Sequence, residues 1–174
     1  MFSVLTAFTA AALRQPESAL RHARDVVAYA SALGMTHELV RWAWPLAVRS
    51  AYELRDAVAT GELIALADSC PAGQLPPLIR AERDLLRARQ ASRDGDHAAR
   101  TALTAAITGL RQLASPYHLA HGLLDYAEYL IRIGDDDSVA QAVAEARDIG
   151  HRLSCPPLLE RADAIERTRP PVRA

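Results

Sequence analysis

Residues 113–157 read LASPYHLAHGLLDYAEYLIRIGDDDSVAQAVAEARDIGHRLSCPP, and their pattern decides the fold. Pro116 opens a helix, since its missing N–H costs nothing in the first turn. Leu119, Leu123, Ala127 and Leu130 then recur at helical spacing and form one apolar stripe. Gly134 stops that helix by taking a left-handed conformation. Asp135, Asp136 and Asp137 follow it, suited to capping the next helix N-terminus. Val139, Val143, Ala146 and Leu153 carry the second helix, and Cys155-Pro156-Pro157 starts the cycle again.

The same logic extends in both directions. Leu39, Ile79, Leu119 and Leu159 are each 40 residues apart, as are Pro76, Pro116 and Pro156. Leu33, Leu113 and Leu153 fall on the same grid. A fixed period of this size marks a stacked helical-repeat array. Pro76-Pro77 opens a helix with the stripe Leu78, Ala81, Leu85 and Ala88, broken at Asp94-Gly95-Asp96. Its partner spans about 97–114, with Ala99, Leu103, Ala106, Ile107, Leu110 and Leu113 inward. The last helix, about 158–167, reads as a cap, and 169–174 as a flexible tail.

The first half is less regular. A helix over 17–33 ends at Gly34, and a long helix over about 36–59 is expected to kink or split at Pro45. Gly61 and Glu62 restart a shorter helix to about Ser69, and 70–77 is the most loop-like segment. Phe2, Leu5, Thr9 and Ala12 lie along one helical stripe of an apolar first helix. Within residues 1–13 no positive charge precedes the apolar stretch, and Ser3, Thr6 and Thr9 interrupt it, which argues against a signal peptide. The expected fold is all-α, a right-handed αα-hairpin solenoid of about eight helices. It forms one domain over 1–168, with an irregular first half over 1–75, regular repeats over 76–155 and a capping helix over 156–168.

Composition agrees. The chain has 174 residues, half of them hydrophobic but only 5% aromatic, so its core is aliphatic and small. All 20 basic residues are arginine, a bias that suggests a GC-rich bacterial genome. The net charge of −1 gives no general attraction to nucleic acid or anionic membrane. No apolar run of about 18 residues exists, so no transmembrane helix is expected. Two cysteines, Cys70 and Cys155, read as reduced thiols of a cytoplasmic protein.

The repeat pattern resembles tetratricopeptide arrays in the turn glycine of Tyr129-Leu130-Ile131-Arg132-Ile133-Gly134-Asp135 and the small residues Ala140, Val143 and Ala146. Its period exceeds that family's usual ~34 residues, and the family's tryptophan-leucine-glycine opening is missing. A narrower resemblance covers 74–167, carried by Leu75-Pro76-Pro77-Leu78-Ile79-Arg80-Ala81, Leu124-Asp125-Tyr126-Ala127-Glu128-Tyr129-Leu130, Glu145-Ala146-Arg147-Asp148-Ile149 and Pro157-Leu158-Leu159-Glu160-Arg161-Ala162. These strings look like the C-terminal repeat region of actinobacterial regulators that join a cyclase or LuxR-type DNA-binding domain to an ATPase. The resemblance implies a regulatory or scaffold segment. The phosphate loop and the cyclase's metal-binding aspartates are missing, so no such activity carries over. Two readings follow: a free interaction module, or a C-terminal regulatory fragment of a multidomain cyclase/ATPase.

Candidate sites are few. His118, His121 and Asp125 share one helix face, but a metal site needs a fourth ligand, and a solvated face is the better reading. Asp135-Asp136-Asp137 lacks the glycine and glutamate of a calcium loop, which favours capping. Cys155 lies four residues from His151 with no oxyanion element, and no nucleophile elbow is found. No catalytic residue, cofactor or metal is therefore expected. Arg80, Arg83 and Arg87 form a stripe. Residues 76–115 carry seven arginines against four acids, whereas 116–155 carry three against seven. Either the two stretches pair internally, or they zone a groove for an acidic or phosphorylated partner. Nucleic acid is not expected, since aromatics do not interleave with these arginines. Trp42, Trp44, Tyr126 and Tyr129 complete the candidate partner surface. Trp42 or Trp44 beside Pro45 is its preferred anchor. The expected partner is a protein segment or sibling domain. A homodimer through the apolar N-terminal helix is a further expectation, because open solenoid ends need covering.

Overall fold

The computed structural model describes residues 2–71, 73–93 and 98–168. Among them there are ten helical segments and no strand. No helix of the described residues is long and apolar enough to cross a membrane. The chain divides into two compact units, Met1–Arg83 and Asp84–Ala174. Sequence alone suggests one domain over 1–168. The break at Asp94-Gly95-Asp96, the helix start at His97 and the tail 169–174 lie outside the described residues.

The first unit holds α1 (Phe2–Ala12), α2 (Pro16–Val27), α3 (Ala30–Leu33), α4 (Glu38–Glu53), α5 (Ala57–Asp68) and the beginning of α6 (Pro77–Arg93). α1 packs on α2, α2 on α4 and α4 on α5, with α1 also reaching α4. The helix expected over 17–33 is two, because Ala28 and Tyr29 interrupt it before the single turn α3. α4 runs unbroken through Pro45, contrary to the expected split. Pro45 removes one backbone donor, but every residue from Ala43 to Tyr52 is buried, and that packing outweighs the lost bond. α4 ends instead at Glu53, where Arg55 turns left-handed (φ 57°) and Asp56 caps α5 by accepting from the Ala59 amide at 2.9 Å. Gly61 therefore lies inside α5 and does not restart a helix. In α1 the buried face is Val4, Ala7 and Ala10, while Leu5, Thr9 and Ala12 of the expected stripe point to solvent. α1 is mostly apolar, with only Ser3, Thr6 and Thr9 polar, so its sequence signals an inner face weakly. Here the two alanines allow the closer approach.

The second unit holds the rest of α6, then α7 (Ala99–Gln112), α8 (Pro116–Ile133), α9 (Asp136–Arg152) and α10 (Pro156–Thr168). α7 packs on α8, α8 on α9, α9 on α10, and α10 also touches α8. The expected stripes are buried: Leu119, Leu123, Ala127 and Leu130 on α8, and Ala99, Leu103, Ala106, Ile107 and Leu110 on α7. Two expected positions are exceptions: Leu113, at the end of the α7 stripe, is only partly buried, and Leu153 is exposed at the end of α9. Gly122 and Gly150 mark tight crossings. A Cβ on Gly150 would stand 2.8 Å from a Leu159 methyl.

One turn recurs throughout. Arg14, Arg55, Ala114 and Ser154 have φ of 49–57°, and Gly134 has 76°. The amides of Arg14 and Gln15 donate back to the Ala11 and Ala10 carbonyls, and those of Gly134 and Asp135 to Ile131 and Leu130. Arg55 with Asp56 and Ser154 with Cys155 repeat the arrangement. This is a Schellman end, and its final residue also precedes the next helix. Two such turns, at 113–116 and 153–156, stand 40 residues apart with the same φ of 49°.

Candidate interaction surfaces

The two tryptophans separate. α4 turns Trp44 fully inward, where its indole Nε1 donates to the Leu63 carbonyl of α5 at 2.9 Å. A side chain with no exposed surface cannot anchor a partner, so Trp44 belongs to the core. Trp42, two residues earlier, is 52% exposed and meets Phe8 of α1 edge-on at 6.1 Å between centroids. Leu5, one turn before Phe8, is 60% exposed.

The arginine stripe is largely engaged. Arg83 pairs with Asp68 at 3.2 Å, and Arg80 donates to the Leu75 carbonyl at 3.3 Å. Arg87 is exposed on the same helix. The opposite signs of the two 40-residue stretches meet each other within the second unit. Arg100 pairs with Asp135 at 2.6 Å, and one Arg111 nitrogen reaches both oxygens of Glu145 at 2.9 Å. Arg89 pairs with Asp125 at 3.0 Å. Part of the charge zoning is thus met between helices of the second unit. The Arg100 hydrogen bond, and then that of Ser138, holds Asp135 below its ordinary pKa.

Tyr126 and Tyr129 stack at 6.2 Å, and the Arg132 guanidinium lies over Tyr129 at 5.9 Å. Arg132 also donates to the Ser92 hydroxyl. Tyr129 is buried and Tyr126 half-buried, so the pair offers mainly an edge.

Two ionic centres escape sequence reading. In the first unit, Arg49 of α4 meets Glu82 of α6 at 2.9 and 2.7 Å, with the Glu82 side chain wholly buried. In the second, Asp125 is buried on α8 between two arginines: Arg89, and Arg161 of α10 at 2.6 Å. Glu128 joins them, 2.6 Å from Arg161 and 3.6 Å from Arg89. Burial works against the Arg161 charge, but Asp125 and Glu128 outweigh it and raise its pKa above the usual arginine value. His121 faces Arg161 at 3.5 Å and the Tyr117 ring at 4.7 Å. Its neighbour Asp125 is therefore committed to arginine, and among the described residues no three metal-ligating side chains converge. The only sequence signal was a carboxylate within an apolar row, as Glu82 stands between Ile79 and Leu86.

No protein-family model matches the chain, and no curated protein matches it either.

Proposed function

We propose that this chain is a non-catalytic helical-repeat module that holds a protein segment, within a bacterial signalling or transcription regulator. On this reading it is a right-handed αα-hairpin solenoid of tetratricopeptide-like type. The matching turns at 113–116 and 153–156, 40 residues apart and each followed by a helix that opens on proline, support that architecture. The observation that carries the function is Trp42, half exposed beside Phe8. Large aromatics that remain open to solvent are enriched among the anchors of interfaces. The exposed Leu5 widens the same apolar surface and supports self-association through α1 as a variant of this reading.

The test is selection of a peptide library on the immobilised full chain. Binders should lose at least tenfold in affinity with Trp42→Ala, while helical circular dichroism stays unchanged. Binders indifferent to Trp42→Ala, or a failure to select any, would overturn the reading.

A further inference from the structure

The second unit contains a seated helix whose departure would strand no buried charge. α10 rests on α8 and α9 through Leu158, Ala162 and Ile165, all buried. Arg161 projects from the middle of that strip, donating at 2.6 Å to both Asp125 and Glu128. Arg147 of α9 grips Asp163 and Glu166 at 2.9 and 3.1 Å.

These partners have a second source of charge or access to water. Asp125, the one carboxylate of the seat with no exposed side-chain surface, is also held by Arg89 of α6 at 3.0 Å. Glu128 is half exposed and lies 3.6 Å from Arg89. The Arg147 side chain is 31% exposed, so water can solvate it. Losing one partner of a buried ion pair is ordinarily severe because the other is left uncompensated. Here Arg89 removes that penalty. The link to α9 carries a left-handed Ser154 at φ 49°, a conformation costly to a residue with a Cβ. Opening the link relieves that strain, and short strained links favour exchange of an element between identical chains.

We propose that α10 is an exchangeable helix: the seat on α8 and α9 accepts the α10 of a second copy, whose Arg161 takes the place of the chain's own between Asp125 and Glu128. The occupant is specified by the seated helix itself. It presents arginine three residues after one leucine, followed by alanine and, four residues after the arginine, isoleucine. This inference is independent of the partner surface around Trp42.

Two full-length charge variants test it. Arg161→Glu sets a third carboxylate against Asp125 and Glu128 in its own seat. Glu128→Arg, at a half-exposed position, sets an arginine against its own Arg161. Each mismatched helix fits the other variant's seat. The mixture should give a heterodimer at least tenfold more abundant, by native mass spectrometry, than either homodimer alone. If both variants keep wild-type helical content and the mixture stays monomeric, the proposal fails. If either variant fails to fold, hydrogen exchange of the wild-type chain decides. The α10 amides should then exchange at least tenfold faster than the central amides of α8 and α9. Equal rates would show that α10 leaves only on global unfolding and would overturn the exchange.

Discussion

Replacing Arg49 by methionine should be among the most damaging single changes in the first unit. Glu82 has no exposed side-chain surface, and Arg49 supplies contacts of 2.9 and 2.7 Å to its two oxygens. Methionine preserves the apolar stem but removes the guanidinium, leaving the carboxylate in the interior without that charge. Breaking a buried pair from one side costs about 3–5 kcal/mol. Against a total stability of roughly 5–15 kcal/mol for a folded domain, that is a large share. At about 2–4 °C per kcal/mol for a chain of this size, the melting point should fall by roughly 6–20 °C. Replacing both partners, Arg49→Met with Glu82→Leu, removes both desolvation costs together and should fall within about 1–2 kcal/mol of wild type. Urea unfolding followed by circular dichroism, run as a double-mutant cycle, measures all three variants. The reasoning fails if Arg49→Met costs less than about 1 kcal/mol. It fails equally if the double variant loses the sum of the single losses, since packing and not charge would then be the cause.

Two further outcomes follow from the turns and caps. Ala114→Gly should stabilise the chain by about 0.5–1 kcal/mol, because glycine relieves the left-handed strain at φ 49°; a lowered melting point would contradict the turn geometry. Asp135 has a depressed pKa, so its ionised form contributes stability that is present above its unfolded pKa of about 3.9 and lost as pH falls through the folded value. Asp135→Asn keeps the capping oxygen but not the charge, so its stability deficit relative to wild type, measured by urea unfolding, should be present at neutral pH and shrink below about pH 4. A deficit that does not change with pH would refute the assignment.

The regular helices were legible because several local signals agree there. On α8, proline start, apolar stripe and glycine stop point to the same boundaries, which the structure reproduces as Pro116–Ile133 with Gly134 left-handed. Capping by Asp135 was legible for the same reason. In the first half one strong local signal did not end its helix. Pro45 reads as a breaker, yet α4 passes through it because the surrounding core holds the helix. The end of α4 was set by Arg55 and Asp56, a turn without the glycine that normally announces it. The inner face of α1 was likewise hard to read, since Ser3, Thr6 and Thr9 are its only polar residues and give a weak periodic signal.

Of the candidate surface, the exposed aromatic beside Pro45 could be narrowed to two residues from sequence. Only packing showed that Trp44 is core and Trp42 is not. The sequence by itself determined that the chain is helical, where most helices begin and end, and which stripes on α7 and α8 face inward. Those properties depend on neighbours three or four residues away along one helix. Only the tertiary structure decided that Arg49 meets Glu82, and that Arg89 and Arg161 share Asp125. These pairs join residues 33 and 36 apart in the cases of Arg49–Glu82 and Arg161–Asp125. Whether such a charge is buried or solvated depends on which helix lies across from it, and no local pattern carries that information.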